Sequence, residues 1–448
     1  MSYEGSKVHF TAATVLAALT VFACDAGPEP TEAELPAPEL RRVESDTELA
    51  RMQAYLRELH DPLAVVHSFR AASGDVIDCV PVTEQPALRD PAMRGHVVEL
   101  APRTAVVAPA ASRASDSRAA LDFGLVGADD DGAERSCPAQ TVPIRRLELS
   151  TLARFTSLDD FRRKHPTHLT GDLPGGPDRV ADARHARSPR IEPPRLGSSA
   201  DHQYAHAYRY VANRGAQSTF SLWNPYTEKK SEFSLSQMWV VRGSGTSLET
   251  VEAGWQNYYD LYGDYKSRLF IYFTPDNYGA GGCYNLTCGA FVQTNNSVIV
   301  GGAFSEYSVA GGIQKSMTLQ WFKDGPDGHW WLRYGDTWVG YYPRSKFDAA
   351  GLQSEAAEVD FGGEIIDTPG DGKHTATDMG SGKFASAGWQ QAAYQRNIRY
   401  IDTGNVLRDP SLTTSVTDAS CYSIALSSGG SWGVNFYFGG SGYNTQCQ

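Results

Sequence analysis

From residue 203 onward the chain is written as short alternating segments rich in aromatic and β-branched residues, at 234–241, 267–274, 291–295, 315–323, 330–334 and 434–438. Successive side chains of a strand point to opposite faces, so each segment offers one face for burial and demands a partner layer. Gly, Asn and Asp punctuate the segments, and Asp324-Gly325-Pro326-Asp327-Gly328 reads as a hairpin turn. No long helical period survives here. Many aromatic strands at this spacing predict an all-β domain, an antiparallel β-sandwich of the jelly-roll or concanavalin-like kind.

The part before residue 200 is built differently. All nine Trp and 20 of the 22 Tyr follow that point, whereas Arg is common before it. Residues 1–23 read as an export signal, because the apolar run 10–23 is too short to span a bilayer comfortably. Val21-Phe22-Ala23-Cys24 is similar to a bacterial lipobox, which makes Cys24 a candidate lipidation site; an ordinary cleaved signal is the alternative. Pro- and Glu-rich residues 24–44 read as a flexible tether.

Residues 45–169 predict a smaller α+β domain. Ser45 and Glu48 have capping-box spacing, with Leu49, Met52, Leu56 and Leu59 on one helical face. Strands are expected at 73–81 and 136–146, a loop at 102–135 and an amphipathic helix at 149–164. Residues 170–202, rich in Pro, Gly and Arg, predict a cleavable linker, and 203–448 the all-β domain.

A formal net charge of -12 and the lack of a basic, aromatic-laced patch argue against nucleic-acid binding. Seven cysteines, read as Cys24 plus three pairs, imply an oxidising compartment; no CxxC pair favours zinc.

Elimination narrows the chemistry. Neither GxSxG nor HExxH occurs, and the cysteines of the second part are expected to be bonded. His202 and His206 stand at a domain edge and read as incidental rather than metal ligands. Asp367, Asp371 and Asp378 fit no calcium loop, so neither metal nor cofactor is expected.

Carboxylates remain. Glu252 lies in Val251-Glu252-Ala253-Gly254-Trp255, and Glu364 follows Phe361-Gly362-Gly363 and precedes Ile365-Ile366. Glu is rarely placed among apolar neighbours without a reason. Two facing carboxylates cannot both ionise cheaply and share a proton, so one activates water while the other protonates or polarises a carbonyl, best in acid. A glutamate on the solvent side of an amphipathic strand is the competing reading.

The second part resembles the neprosin family of glutamic peptidases. The resemblance rests on Gln237-Met238-Trp239-Val240, Val251-Glu252-Ala253-Gly254-Trp255-Gln256 and Gly282-Cys283-Tyr284-Asn285-Leu286-Thr287-Cys288, then on Gly328-His329-Trp330-Trp331-Leu332 and Phe361-Gly362-Gly363-Glu364-Ile365. Residues 74–87 and 137–146 are similar to the activation segment that precedes such domains. Tyr272-Phe273-Thr274 and Tyr341-Tyr342-Pro343 depart from the commoner Trp-containing forms.

The resemblance implies an exported zymogen, secreted or held on the cell envelope, whose N-terminal domain is its own inhibitor until cleaved off. It implies a dyad at Glu252 and Glu364, cleavage of proline-containing peptides after proline, and the pairs Cys79–Cys137, Cys283–Cys288 and Cys421–Cys447. Gln237 and Gln256 are candidate oxyanion donors. Trp239, Trp255, Tyr284 and Trp330 are candidate wall residues, with core packing an equal alternative for each. A carbohydrate-active β-sandwich and a non-catalytic ligand-binding surface lipoprotein are the competing functions.

Overall fold

The computed structural model describes residues 42–108, 136–164, 201–368 and 372–448. The expected signal, Cys24 and most of the tether and linker lie outside them.

The helix expected from Ser45 is α1 (Asp46–His60), capped by Ser45, whose hydroxyl accepts from Glu48 N–H. It buries Met52 and Leu59. Strands β1 (His67–Arg70), β2 (Val76–Pro81) and β3 (Thr141–Arg145) make a three-stranded antiparallel sheet beside it. The helix expected over 149–164 is instead two short ones, α2 (Leu149–Leu152) and α3 (Leu158–Arg162). The Ser157 side chain accepts from Asp160 N–H and starts a new helix, which is why the periodic stretch breaks. Residues 42–44, assigned to the tether, are held: Arg42 N–H donates to Ala153 O, and Val43 is buried.

The remaining strands are β4 (Asp201–Asn213), β5 (Gly215–Ser221), β6 (Phe233–Arg242), β7 (Glu249–Tyr258), β8 (Arg268–Thr274), β9 (Cys283–Tyr284), β10 (Val292–Gln293), β11 (Ser316–Lys323), β12 (Trp330–Tyr334), β13 (Thr337–Tyr342), β14 (Ala356–Asp367), β15 (Ala393–Ile401), β16 (Leu407–Arg408), β17 (Thr413–Val416), β18 (Ser423–Ser428) and β19 (Val434–Gly439). One sheet runs β17-β4-β14-β6-β7-β8-β9; the other runs β10-β13-β12-β11-β5-β15-β19-β18, with β16 on β15. Residues 201 and 202, expected in the linker, already belong to β4. A single helical turn, α4 (Tyr259–Tyr262), interrupts the strands after β7.

The sheets pack face to face as an antiparallel sandwich. Met238, Val240, Val251, Ala253, Ile271 and Phe361 from one sheet share a core with Phe220, Leu319 and Trp321 from the other. Disulfides join Cys79 to Cys137, Cys283 to Cys288 and Cys421 to Cys447.

The other face of the seven-stranded sheet is covered too, by the N-terminal segment. Leu149, Leu152, Phe155, Leu158 and Phe161 form one buried cluster with Phe233, Leu235, Trp239, Phe270, Tyr272 and Tyr284. Polar clamps reinforce the cover. Arg268 and Arg145 both grip Asp75, at 2.5 and 2.6 Å, and Gln85 exchanges two hydrogen bonds with the Gln293 backbone.

Candidate active site

Period-two alternation decides what the covered face carries. On β7 the residues Val251, Ala253 and Trp255 enter the sandwich core, so Glu252, Gly254 and Gln256 must face the cover. On β14 the residues Val359, Phe361 and Ile365 enter the core, so Gly362 and Glu364 face the cover as well. Strand β6 runs between them. Its Gln237 is paired in register with Gly362 on one side and Gly254 on the other. That row therefore carries one side chain flanked by two bare positions, and the two glutamates can lean toward each other across it.

They meet on a lysine. The Lys164 ammonium donates to Glu252 Oε2 at 2.7 Å and to Glu364 Oε2 at 2.8 Å. Two contacts of that length leave the carboxylate oxygens at most 5.5 Å apart. All three side chains are almost fully buried. Lys164 is the last described residue before 165–200, and it lies just beyond α3 of the covering segment. Its ammonium sits 5.3 Å from the centre of the Trp239 ring, and its backbone N–H donates to the Tyr272 hydroxyl at 3.1 Å.

Each glutamate is held by its second oxygen. Glu252 Oε1 accepts from Thr250 Oγ1 and from the Tyr278 hydroxyl, both at 2.8 Å. Glu364 Oε1 meets His202 Nδ1 at 2.7 Å, while its Oε2 also accepts from Gln237 Nε2 at 2.9 Å. A carboxylate fixed in this way keeps one oxygen aimed at the shared point. Complete burial raises the Tyr272 phenol far above its usual range, so it stays protonated and neutral.

The structure brings together Glu252, Glu364, Gln237 and Trp239. Gln256 and Tyr284 lie on the same face, joined by a hydrogen bond of 3.3 Å from Gln256 Nε2 to the Tyr284 hydroxyl. Trp255 and Trp330 are corrections. Both are fully buried in the inter-sheet core, where their indole N–H groups donate to Ser221 O and Leu352 O. Neither can touch a molecule lying over Glu252.

Sequence reasoning passed over Lys164, Thr250, Tyr278 and His202. His202, read as incidental, contacts Glu364, and His206 contacts Asp360 at 2.8 Å. The Thr250 signal was present, since a residue two away from Glu252 in an alternating strand shares its face. Lys164 had none, because a lysine closing a basic helix end reads as solvated.

A family model described as Neprosin activation peptide matches residues 68–208, and one described as Neprosin matches residues 230–441. Similar solved structures include Scytalido-glutamic peptidase with a peptide-based transition-state analog, at 9% identity and a TM-score of 0.31, covering 54% of this chain and 98% of that one. SCP-B, a member of the eqolisin family of peptidases in complex with the tripeptide Ala-Ile-His, matches at 8% identity and TM-score 0.29, with the same coverages of 54% and 98%. CG-16, a homodimeric agglutinin from chicken liver, matches at 7% identity and TM-score 0.20, covering 36% of this chain and 93% of that one. TM-scores this low leave these likenesses without weight for the chemistry.

Proposed function

The chain belongs to the neprosin family, with an activation-peptide segment ahead of a neprosin segment, and from that premise we propose that it is an acid-active glutamic endopeptidase made as a zymogen. Glu252 and Glu364 are its catalytic pair, and the segment ending at Lys164 is its inhibitor. One observation carries this reading: a single ammonium hydrogen-bonded to both buried carboxylates. An atom held between two carboxylates occupies the place where an attacking water needs to be.

With the lysine withdrawn, two close carboxylates keep one proton between them. The ionised glutamate takes a proton from water as the oxygen attacks the peptide carbonyl carbon. The protonated one donates to the carbonyl oxygen, and Gln237 Nε2 is placed to donate there too. Collapse of the tetrahedral intermediate breaks the C–N bond, and the amine leaves with a proton returned by the pair. No cofactor enters these steps.

For the substrate we propose proline-bearing peptides cut after proline, as the family resemblance implies. The aromatic walls Trp239, Tyr272, Tyr278 and Tyr284 suit a rigid apolar ring. The 170–200 linker itself contains Pro174, Pro177, Pro189, Pro193 and Pro194, so an enzyme of this specificity carries targets for its own activation. Export, with Cys24 as a possible lipid anchor, belongs to the same proposal. Carboxylates this close also suit retaining glycoside hydrolysis, which is therefore the second reading.

The test is incubation of the purified chain at about pH 3–4, where a shared-proton pair is competent, with a mixed peptide pool and soluble polysaccharides. Cuts after proline, together with self-cleavage in the linker, are expected. Peptide cuts at other residues would keep the pair and overturn the specificity. Sugar release without peptide cuts would overturn the peptidase reading.

A further inference from the structure

At one end of the sandwich, remote in lining from the glutamate pair, an open cleft of about 460 Å³ is bordered by Arg214, Arg242, Lys323 and Arg344, with Gln353 and Ser354 alongside. We propose that this cleft is a binding site for a small polyvalent oxyanion of the sulfate or phosphate type.

Its charges are not balanced from within. Lys323 ends β11 and is only 6% exposed, yet no described carboxylate lies within ion-pair distance of its ammonium. The ammonium donates to Gly328 O at 2.7 Å and lies 5.4 Å from the centre of the Trp330 ring. A buried ammonium is normally paired, because leaving water without a counter-charge is costly.

The arginines add to the imbalance. Arg242 spends its donors on two neutral carbonyls, Ala350 O at 3.1 Å and Glu355 O at 2.9 Å. The Arg344 guanidinium makes no hydrogen bond or ion pair with any described residue, although its backbone N–H donates to His329 Nδ1. Arg214 is 3.6 Å from Glu355, a pair more than a quarter exposed on both sides and hence weakly compensating.

Asp324, also on the rim, is already engaged. Its oxygens accept from the backbone N–H groups of Arg103 and Thr104, and from the Thr104 hydroxyl. Four cations therefore face two carboxylates, Asp324 and Glu355, across a space with room for a small anion. The Lys323 ammonium registers the crowding: burial first and then Arg344 bring it down to about 8, with Asp327 pulling the other way and Arg214 and Glu355 making smaller contributions of opposite sign. Fork-shaped guanidinium groups match tetrahedral oxyanions through paired N–H donors, which favours a polyvalent oxyanion over chloride.

The experiment uses sulfate, whose charge is constant across the pH range, titrated calorimetrically into the intact chain at pH 7 with ionic strength held by sodium chloride. Saturable binding of one sulfate is expected. Arg344→Gln, which removes an unbonded and exposed guanidinium, should weaken it at least tenfold with an unchanged melting temperature. Raising the pH from 7 to 9 should weaken binding severalfold as Lys323 loses its proton. Either of two results overturns the site: no saturable heat above the chloride background, or an Arg344→Gln variant that binds sulfate as tightly as the parent.

Discussion

The two faces of the seven-stranded sheet are equally dry and differently made. The inner face presents Val251, Ala253 and Trp255 from β7, and the outer face presents Thr250, Glu252 and Gln256 from the same strand, all of them buried. The inner face is buried by the partner sheet, with apolar groups that need only shape and volume. The outer face is buried by the activation segment, with carboxylates, amides and phenols that need partners. Gln237 Oε1 and Gln256 Oε1 have none among the described residues. Burial alone does not separate a core from a covered site. The kind of side chain buried does, carboxylates and amides against apolar groups, since the inter-sheet core also leaves Trp321 Nε1 and the Tyr342 hydroxyl unpaired among the described residues.

The strongest way to break that comparison is to edit the outer face without touching packing. Glu252→Gln and Glu364→Gln keep shape and remove the pair's acid–base chemistry. Each should lower kcat/KM of the processed enzyme by about 10³-fold or more, with an unchanged circular dichroism spectrum. A near-normal rate in either variant refutes the pair.

Lys164→Met leaves two buried carboxylates facing each other without a cation. The unprocessed chain should lose about 3–5 kcal/mol at pH 8, read by urea unfolding. The loss should shrink toward pH 4, because the facing pair then takes up a proton. An unchanged unfolding curve at pH 8 would mean that the ammonium does not hold the segment down.

A matched pair of tryptophans sharpens the contrast. Trp255→Ala on the inner face should cost about 3–5 kcal/mol of stability. In processed enzyme, Trp239→Ala on the outer face should cost less stability and mainly raise KM for peptides. If both variants behave alike, the distinction between the faces fails.

The smallest effect concerns Asp75, which ties the activation segment to Arg268. Burial alone would raise its carboxyl, but the guanidinium groups of Arg145 and Arg268 outweigh that and hold it well below the usual range. A depressed carboxylate contributes fully above the ordinary value near 4 and fades as pH falls below it. Acid therefore loosens this clamp in the range where the enzyme is proposed to work. Asp75→Asn should remove about 2 kcal/mol of attachment at pH 7 and let linker cleavage begin at a higher pH. The check is a gel time course from pH 3 to 7.

Much of this was legible in the chain. Alternation revealed the strands of the sandwich, and the apolar settings of Glu252 and Glu364 marked them, although Glu232, Glu249 and Glu358 are buried as well. The same alternation was enough to exclude Trp255, which stands three places from Glu252 and so faces the other way. Trp330 carried no such mark, because it belongs to the opposite sheet and only the long-range pairing of β11, β12 and β5 places it. Lys164 was invisible for the same reason: 88 residues separate it from Glu252, and no local pattern encodes that contact. The break between α2 and α3 was written in Thr156-Ser157 but masked by the amphipathic spacing around it.

The central claim is that the buried outer face becomes an active site once its cover leaves. The direct measurement is peptide hydrolysis at acid pH by the intact chain and by chain cut within its Arg-rich linker and freed of residues up to Lys164. The account predicts almost no initial rate from the intact form and full activity from the freed sandwich. Equal rates from both would contradict it, because an enzyme with Lys164 still seated between Glu252 and Glu364 has no place for the attacking water.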